Sequence, residues 1–90
     1  MSEPPSERLE WIRSVMDRYQ GSLIRFASRI TGDLDSARDV VQETFLRLCR
    51  EDPARTRDHL GPWLFRVCRH RALDVRRKEA PLTPLDEPAL

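Results

Sequence analysis

Two segments of the chain carry outward-facing side chains of different chemistry, and the first lies at residues 37–50. Apolar and small residues recur there at helical spacing, which predicts a buried stripe. Its members are Ala37, Val40, Val41, Thr44, Phe45 and Leu48. The other side then holds hydrogen-bonding and charged groups around one leucine: Asp39, Gln42, Glu43, Leu46 and Arg50. Such a face is typical of a helix that docks onto a protein, although a lone exposed leucine is also ordinary on any surface.

The second segment, residues 63–77, combines a buried stripe with a cationic face. Helical spacing predicts that Leu64, Cys68, Ala72 and Val75 are buried. The opposite side is predicted to expose Trp63, Arg66, His70, Leu73 and Arg77. Arginines can pair with phosphates and a tryptophan can stack on an unpaired base, so this face suggests nucleic-acid binding. The alternative is that Trp63 covers the core and that the arginines are only solvated.

The charge distribution supports the first of these interpretations. Residues 1–54 hold eight Arg and ten acids, a net charge of −2. Residues 55–78 hold seven Arg and one Lys against two acids, a net charge of +6, and residues 79–90 hold three acids. A basic block between acidic flanks suits a phosphate-bearing partner, although the whole chain carries only +1.

Ninety residues indicate one domain with a small core, and the sequence predicts an all-α fold of three helices. The first runs over residues 6–31, with a stripe of Leu9, Ile12, Met16, Tyr19, Leu23, Phe26 and Ile30, and Gly32 ends it. Asp33 or Asp35 caps the second, which stops near residue 50. A basic loop at 54–57 follows. The third helix starts at an Asp58 cap or at Gly61 and ends near residue 78.

Several classes of function lack sequence support. There is no Ser/His/Asp set, Gly-rich phosphate loop or pair of catalytic carboxylates, so we do not expect an enzyme. Cys49 and Cys68 are predicted to be buried free thiols, and Cys68 and His70 would diverge on a helix, so no metal or other cofactor is expected. Neither a signal peptide nor a membrane-spanning run is evident, which makes the cytoplasm the expected compartment.

Two motifs carry a resemblance to a known family. They are DSARDVVQETFLRL at residues 35–48 and PWLFRVCRHRALDVRR at residues 62–77, and the similarity extends back through YQGSL at 19–23 to Gly32 and Asp33. Together they resemble region two of bacterial sigma factors of the extracytoplasmic-function (ECF) type. The resemblance implies a region-two domain at 6–79 and an interdomain linker at 80–90, without the helix-turn-helix domain that follows in complete members.

The resemblance also implies partners and sites. The first motif would bind the clamp helices of the beta-prime subunit of RNA polymerase core, which assigns that contact to Asp39, Gln42, Glu43 and Leu46. The loop and third helix would bind the opened non-template strand of the minus-ten promoter element. That site would comprise Arg55, Arg57, Asp58, His59, Trp63, Arg66, Arg69, His70, Asp74, Arg76 and Arg77. An anti-sigma factor is a further partner that the family allows.

The chain departs from the family pattern at His70, where an asparagine is usual. Neutral histidine offers its donor and acceptor on separate ring nitrogens, so the base that it reads can differ. Two rival functions stay open at this point. A double-stranded DNA-binding repressor module would need a shorter turn between its helices. An interaction module would use the arginine face to bind an acidic protein.

Overall fold

The computed structural model describes the backbone of residues 5–79 and the side chains of residues 7–78, so the predicted linker at 80–90 lies outside the described residues. Three long helices form the domain: α1 (Pro5–Thr31), α2 (Leu34–Arg50) and α4 (Leu60–Glu79). A short helix α3 (Pro53–Thr56) and a 3-10 turn (Arg57–His59) connect α2 to α4. The described part contains no strand, which confirms the predicted all-α fold.

The core lies where the three long helices meet, since each of them packs against both of the others. The predicted stripe of α2 is confirmed, because all six of its members are buried. Leu23 of α1 and Leu64 of α4 are fully enclosed beside it, and Phe26 and Phe65 add an edge-to-face ring contact at 5.2 Å. The buried Thr44 hydroxyl donates to the Val40 carbonyl at 2.9 Å, so this polar group is satisfied within its own helix.

The stripe of α1 follows the prediction except at its first member. Ile12 and Leu23 are buried, and Met16, Tyr19, Phe26 and Ile30 are half-buried. Leu9, however, is 64% exposed. The predicted stripe steps by seven residues from Leu23 to Leu9, and a straight helix drifts by about 20° per heptad relative to such a repeat. Two heptads therefore offset Leu9 by about 40° from Leu23 around the axis of α1.

The junction between α1 and α2 uses the residues that the sequence indicated. Gly32 has a φ of 84°, a left-handed conformation that glycine adopts without strain, and its N–H donates to the Ser28 carbonyl at 2.8 Å. Asp33 caps α2, because its carboxylate accepts the Ser36 backbone N–H at 3.1 Å. Hydrogen bonds from Ser36 also lower the pKa of Asp33. Of the two predicted caps, Asp33 is therefore the one used.

The predicted basic loop at 54–57 is instead largely helical. Asp52 caps α3 by accepting the Ala54 N–H at 3.0 Å, and Pro53 occupies the first turn, where its missing N–H leaves no bond unmade. The 3-10 turn then leads directly into α4 at Leu60. Neither predicted start, Asp58 nor Gly61, is therefore the first residue of α4.

The two cysteines are free, as predicted, but only one of them is buried. Cys68 belongs to the core, whereas Cys49 is exposed. Cys49 follows Leu48 by one residue, and a step of one residue turns about 100° around a helix, which takes Cys49 off the buried stripe. Within the described residues, no cluster of His, Cys, Asp and Glu could hold a metal ion, and no helix could cross a membrane.

Candidate nucleic-acid and protein interfaces

The outer face of α2 presents an apolar side chain among polar ones. Asp39, Gln42 and Leu46 are exposed, and Leu46 keeps 55% of its surface accessible. Residues 39, 42, 43 and 46 follow one another at helical spacing, so they share one side of α2. The predicted exposure of Leu46 is therefore confirmed, and the face can bury a leucine while it offers hydrogen bonds around it.

Glu43 differs from its neighbours on α2 because its carboxylate is already engaged. Arg71 of α4 donates from Nε to Oε1 of Glu43 and from Nη2 to Oε2 at 3.1 Å, a two-pronged ion pair between the helices. The hydrogen bond from Arg71 lowers the pKa of Glu43, and the same bond raises the pKa of Arg71. Neither the spacing of residues 43 and 71 nor any local pattern predicts this contact.

A cationic face runs along α4 from Arg66 to Arg77. Arg66, Arg69, His70, Arg76 and Arg77 are all exposed, and successive members follow at spacings that keep them on one side of the helix. Asp74 is half-buried within this stretch, and its carboxylate lies 3.7 Å from Arg71 Nη1 and 3.8 Å from Arg77 Nη2. One acid therefore links the cationic face to the residue that holds Glu43.

The connection before α4 extends this exposed surface. Arg55, Asp58 and His59 are exposed on α3 and the 3-10 turn. Arg57 is exposed as well, and its guanidinium stacks over the Trp11 ring of α1 at 5.1 Å from the ring centroid. This contact anchors the 3-10 turn against α1, so the turn is held at the N-terminal end of the cationic face.

Trp63 does not lie on the exposed face, and this part of the prediction is wrong. Its side chain is only 8% exposed and belongs to the core cluster. The physical reason is a second apolar pattern: Leu60, Trp63, Leu64 and Val67 follow one another at helical spacing, and Leu60 and Val67 pack against the same core. Trp63 therefore supports the start of α4, and its ring face is not open to a base.

The two faces adjoin along a groove between α2 and α4. The groove encloses about 440 Å³ and is lined by Glu43, Thr44, Leu46, Arg47, Arg50, Val67, His70, Arg71 and Asp74. One wall thus includes predicted polymerase contacts, and the other includes predicted DNA contacts. The sequence indicated two separate surfaces, whereas the structure brings them to one cleft.

Arg8 of α1 has a supporting role that the sequence did not indicate. Its Nη2 donates to the Cys49 carbonyl at 2.8 Å and to the Glu51 carbonyl at 2.7 Å. These carbonyls lie at the C-terminal end of α2, where backbone acceptors lack partners in the helix and a cation is favourable. Arg8 therefore fixes the point from which the chain leaves for α3.

A small helical domain that exposes a docking face and a cationic face is typical of proteins that bind macromolecules. Comparisons with known proteins agree with this class. Residues 15–81 match the family Sigma-70 region 2. The chain is 42% identical over 69 residues to the ECF RNA polymerase sigma factor SigL of Mycobacterium tuberculosis, a match that covers 73% of this chain and 38% of SigL. It is 33% identical over 67 residues to the ECF RNA polymerase sigma factor SigM of Bacillus subtilis, which covers 74% and 41%.

The chain therefore belongs to the sigma-70 region 2 family and is of the ECF sigma factor type. It spans about two fifths of the length of these curated relatives. No solved structure matched it significantly. The resemblance drawn from the two motifs is thus confirmed at the level of the family, whereas the individual contact residues stay predictions.

Proposed function

We propose that this domain attaches RNA polymerase core to promoter DNA, using the outer face of α2 for the beta-prime clamp helices and the cationic face of α4 for the opened minus-ten element. The observation that carries the proposal is the row of exposed cations on α4, beside a docking helix, in a member of the sigma-70 region 2 family. This role requires binding alone and no catalytic group.

On the DNA side, the proposal assigns phosphate contacts to Arg66, Arg69, Arg76 and Arg77 and base contacts to exposed side chains near the start of α4. Extruding a base from the stack costs a few kcal/mol, which stacking and phosphate contacts can offset. Since the Trp63 ring is buried, stacking falls to the exposed His59 and His70 imidazoles or to arginine planes.

The DNA face is tested with the chain bound to core polymerase and a labelled single-stranded minus-ten oligonucleotide. Arg66→Ala with Arg77→Ala should weaken capture and should reduce the slope of log affinity against log salt by about 0.7 for each lost phosphate contact. Arg13→Ala with Arg29→Ala is the matched control, since both are exposed arginines of α1. Equal losses in the two double variants would mean that capture depends on net charge and not on the α4 face.

The protein face is tested by retention on a beta-prime clamp-helix fragment. Gln42→Ala with Glu43→Lys should abolish retention because it removes a hydrogen-bonding group and reverses a charge at the centre of the α2 face. Retention by the unaltered chain separates this function from the rival interaction module, in which the arginine face binds an acidic protein. Loss of retention after Arg66→Ala with Arg77→Ala, but not after the α2 changes, would favour that rival.

A further inference from the structure

Among the residues predicted to bind polymerase, Glu43 is the one whose side chain is oriented by another residue before any partner binds. Arg71 grips both carboxylate oxygens, whereas no side-chain hydrogen bond to Asp39 or Gln42 occurs among the residues described. A guanidinium that donates two parallel bonds fixes both the position and the plane of a carboxylate. The Glu43 side chain nevertheless remains 41% exposed, so a partner can still reach it.

Arg71 is itself held from the other side. Its Nη1 lies 3.7 Å from Asp74 Oδ2, one turn further along α4. Asp74 and Glu43 therefore flank the guanidinium. An arginine placed between two carboxylates has little rotamer freedom left. Its two parallel N–H donors are therefore directed toward Glu43 before any partner binds. Arg71 belongs to neither of the two sites predicted from the sequence.

We propose that Arg71 is a positioning residue for polymerase binding, which presents the Glu43 carboxylate of α2 in a fixed orientation from the neighbouring helix α4. The inference rests on the proposed role of the α2 face. A free glutamate side chain would lose rotamer freedom on binding, and restricting it beforehand should improve affinity about threefold to tenfold. The residue that tunes polymerase binding would thus lie on the helix assigned to DNA.

A purely structural role for the pair makes a different prediction. Exposed ion pairs contribute little to stability, so in a purely structural role the loss of Arg71 would change the free energy of unfolding only slightly and would not act on binding through one carboxylate. A positioning role requires that Arg71 matter only while Glu43 is present. The two roles can therefore be separated by measuring Arg71 variants with and without Glu43.

The affinity of the 90-residue chain for core polymerase is the first measurement. Arg71→Ala should weaken it about threefold to tenfold, while Arg71→Lys, which keeps the charge but not the two-pronged bond, should weaken it less. Arg13→Ala, an exposed arginine on α1, should leave it unchanged. Circular dichroism verifies that each variant is folded. If Arg71→Ala is unfolded, Arg71→Lys is compared with the unaltered chain in its place.

The second measurement repeats Arg71→Ala in a Glu43→Ala background, where it should have no further effect. A similar loss in both backgrounds would overturn the inference, because Arg71 would then act independently of Glu43. If the chain binds polymerase and Glu43→Ala weakens binding but Arg71→Ala does not, the inference fails and the proposed function stands. If the unaltered chain does not bind polymerase at all, both fail.

The third measurement is the pH dependence of the Glu43 carboxyl, followed by its side-chain carbon resonance. The charged and titratable groups near it are Asp74, Lys78 and His70 from α4 and Arg47 and Arg50 from α2, while none of the described α1 residues lines the groove. Arg71 lowers the pKa of Glu43, so the ionised form persists to lower pH in the unaltered chain. Arg71→Ala should raise that pKa, and polymerase binding should disappear at a higher pH as the solution is acidified. Identical titration midpoints in the two proteins would contradict the inference.

Discussion

Leu46 and Trp63 are the prominent apolar residues on the two faces that the sequence predicted to be exposed, but they differ in burial. Leu46 is 55% exposed on α2, whereas Trp63 is 8% exposed at the start of α4. Helical spacing gives the direction of a side chain relative to its own axis, but burial depends on how many neighbouring elements lie on that side. The buried stripe of α2 stays narrow, while that of α4 widens at its first turns to include Leu60, Trp63 and Val67.

This difference gives the two faces different binding chemistry. The α2 face offers an apolar group that a partner can bury beside the carboxylates of Asp39 and Glu43, so its affinity should depend less on salt than that of the α4 face. The α4 face offers exposed cations without the Trp63 ring, so its affinity should depend strongly on salt. Under the proposed function, a docking surface that is less sensitive to salt than the cationic surface beside it suits a domain that stays on polymerase while it tests DNA.

The largest expected effect that separates the two residues is on stability. Trp63→Ala should lower the free energy of unfolding by about 3–5 kcal/mol, because it removes a large buried ring and leaves a cavity. A core of this size usually supplies about 3–5 kcal/mol in all, so the variant should be largely unfolded at room temperature. Urea denaturation followed by circular dichroism measures the change.

Trp63→Phe is the matched variant, since it keeps most of the buried apolar surface. It should remain folded, and with its fold intact it should capture the minus-ten oligonucleotide as well as the unaltered chain does. A folded Trp63→Phe variant that no longer captures the oligonucleotide would show that the ring contacts DNA despite its burial. Leu46 and Trp63 would then differ only in how much of each side chain is exposed.

The sequence predicts features within one helix better than contacts between helices. The stripe of α2 was predictable, because its spacing lies within one helix, and so was the end of α1 at Gly32. Asp33 and Asp35 both satisfy the rules for a cap, and the structure shows that Asp33, with its extended backbone, is the one that accepts the Ser36 N–H.

Contacts between helices gave no such signal. Glu43 and Arg71 lie 28 positions apart, and Arg8 is 41 positions from the Cys49 carbonyl that it binds. Charged residues are frequent in this chain, so composition does not single out these pairs. Helical spacing located the two faces but did not show that Glu43 is engaged. Such contacts can be identified only when the packing of the helices against one another is known.

The two cysteines also differ in burial, and replacing them should change the free energy of unfolding less than Trp63→Ala does. Cys68→Ser should lower the free energy of unfolding by about 1–3 kcal/mol, because a more polar group replaces a fully buried thiol. Cys49→Ser should change it by less than about 0.5 kcal/mol, as is usual at an exposed site. Burial also raises the pKa of Cys68, which suppresses its thiolate. A thiol reagent should therefore titrate one cysteine in the native chain and two in denaturant, and rapid titration of both in the native chain would contradict the assigned burial.

Leu46→Ala has the smallest expected effect on folding and tests the other half of the comparison. It should alter the free energy of unfolding by less than about 0.5 kcal/mol, because the side chain is already largely in water. Its affinity for core polymerase should nevertheless fall about fivefold to tenfold, since truncating an apolar anchor at the centre of an interface removes surface that the partner would bury.

Leu34→Ala is the matched control for Leu46→Ala, because Leu34 is 50% exposed on the same helix. Twelve residues separate the two leucines, which places Leu34 about 120° around the axis of α2 from Leu46. Leu34→Ala should therefore leave both stability and affinity nearly unchanged. If the two variants weakened polymerase binding equally, the apolar contact would not be specific to the face that carries Asp39 and Gln42. If neither weakened it, Leu46 would be an ordinary exposed leucine, and docking would rest on the polar side chains around it.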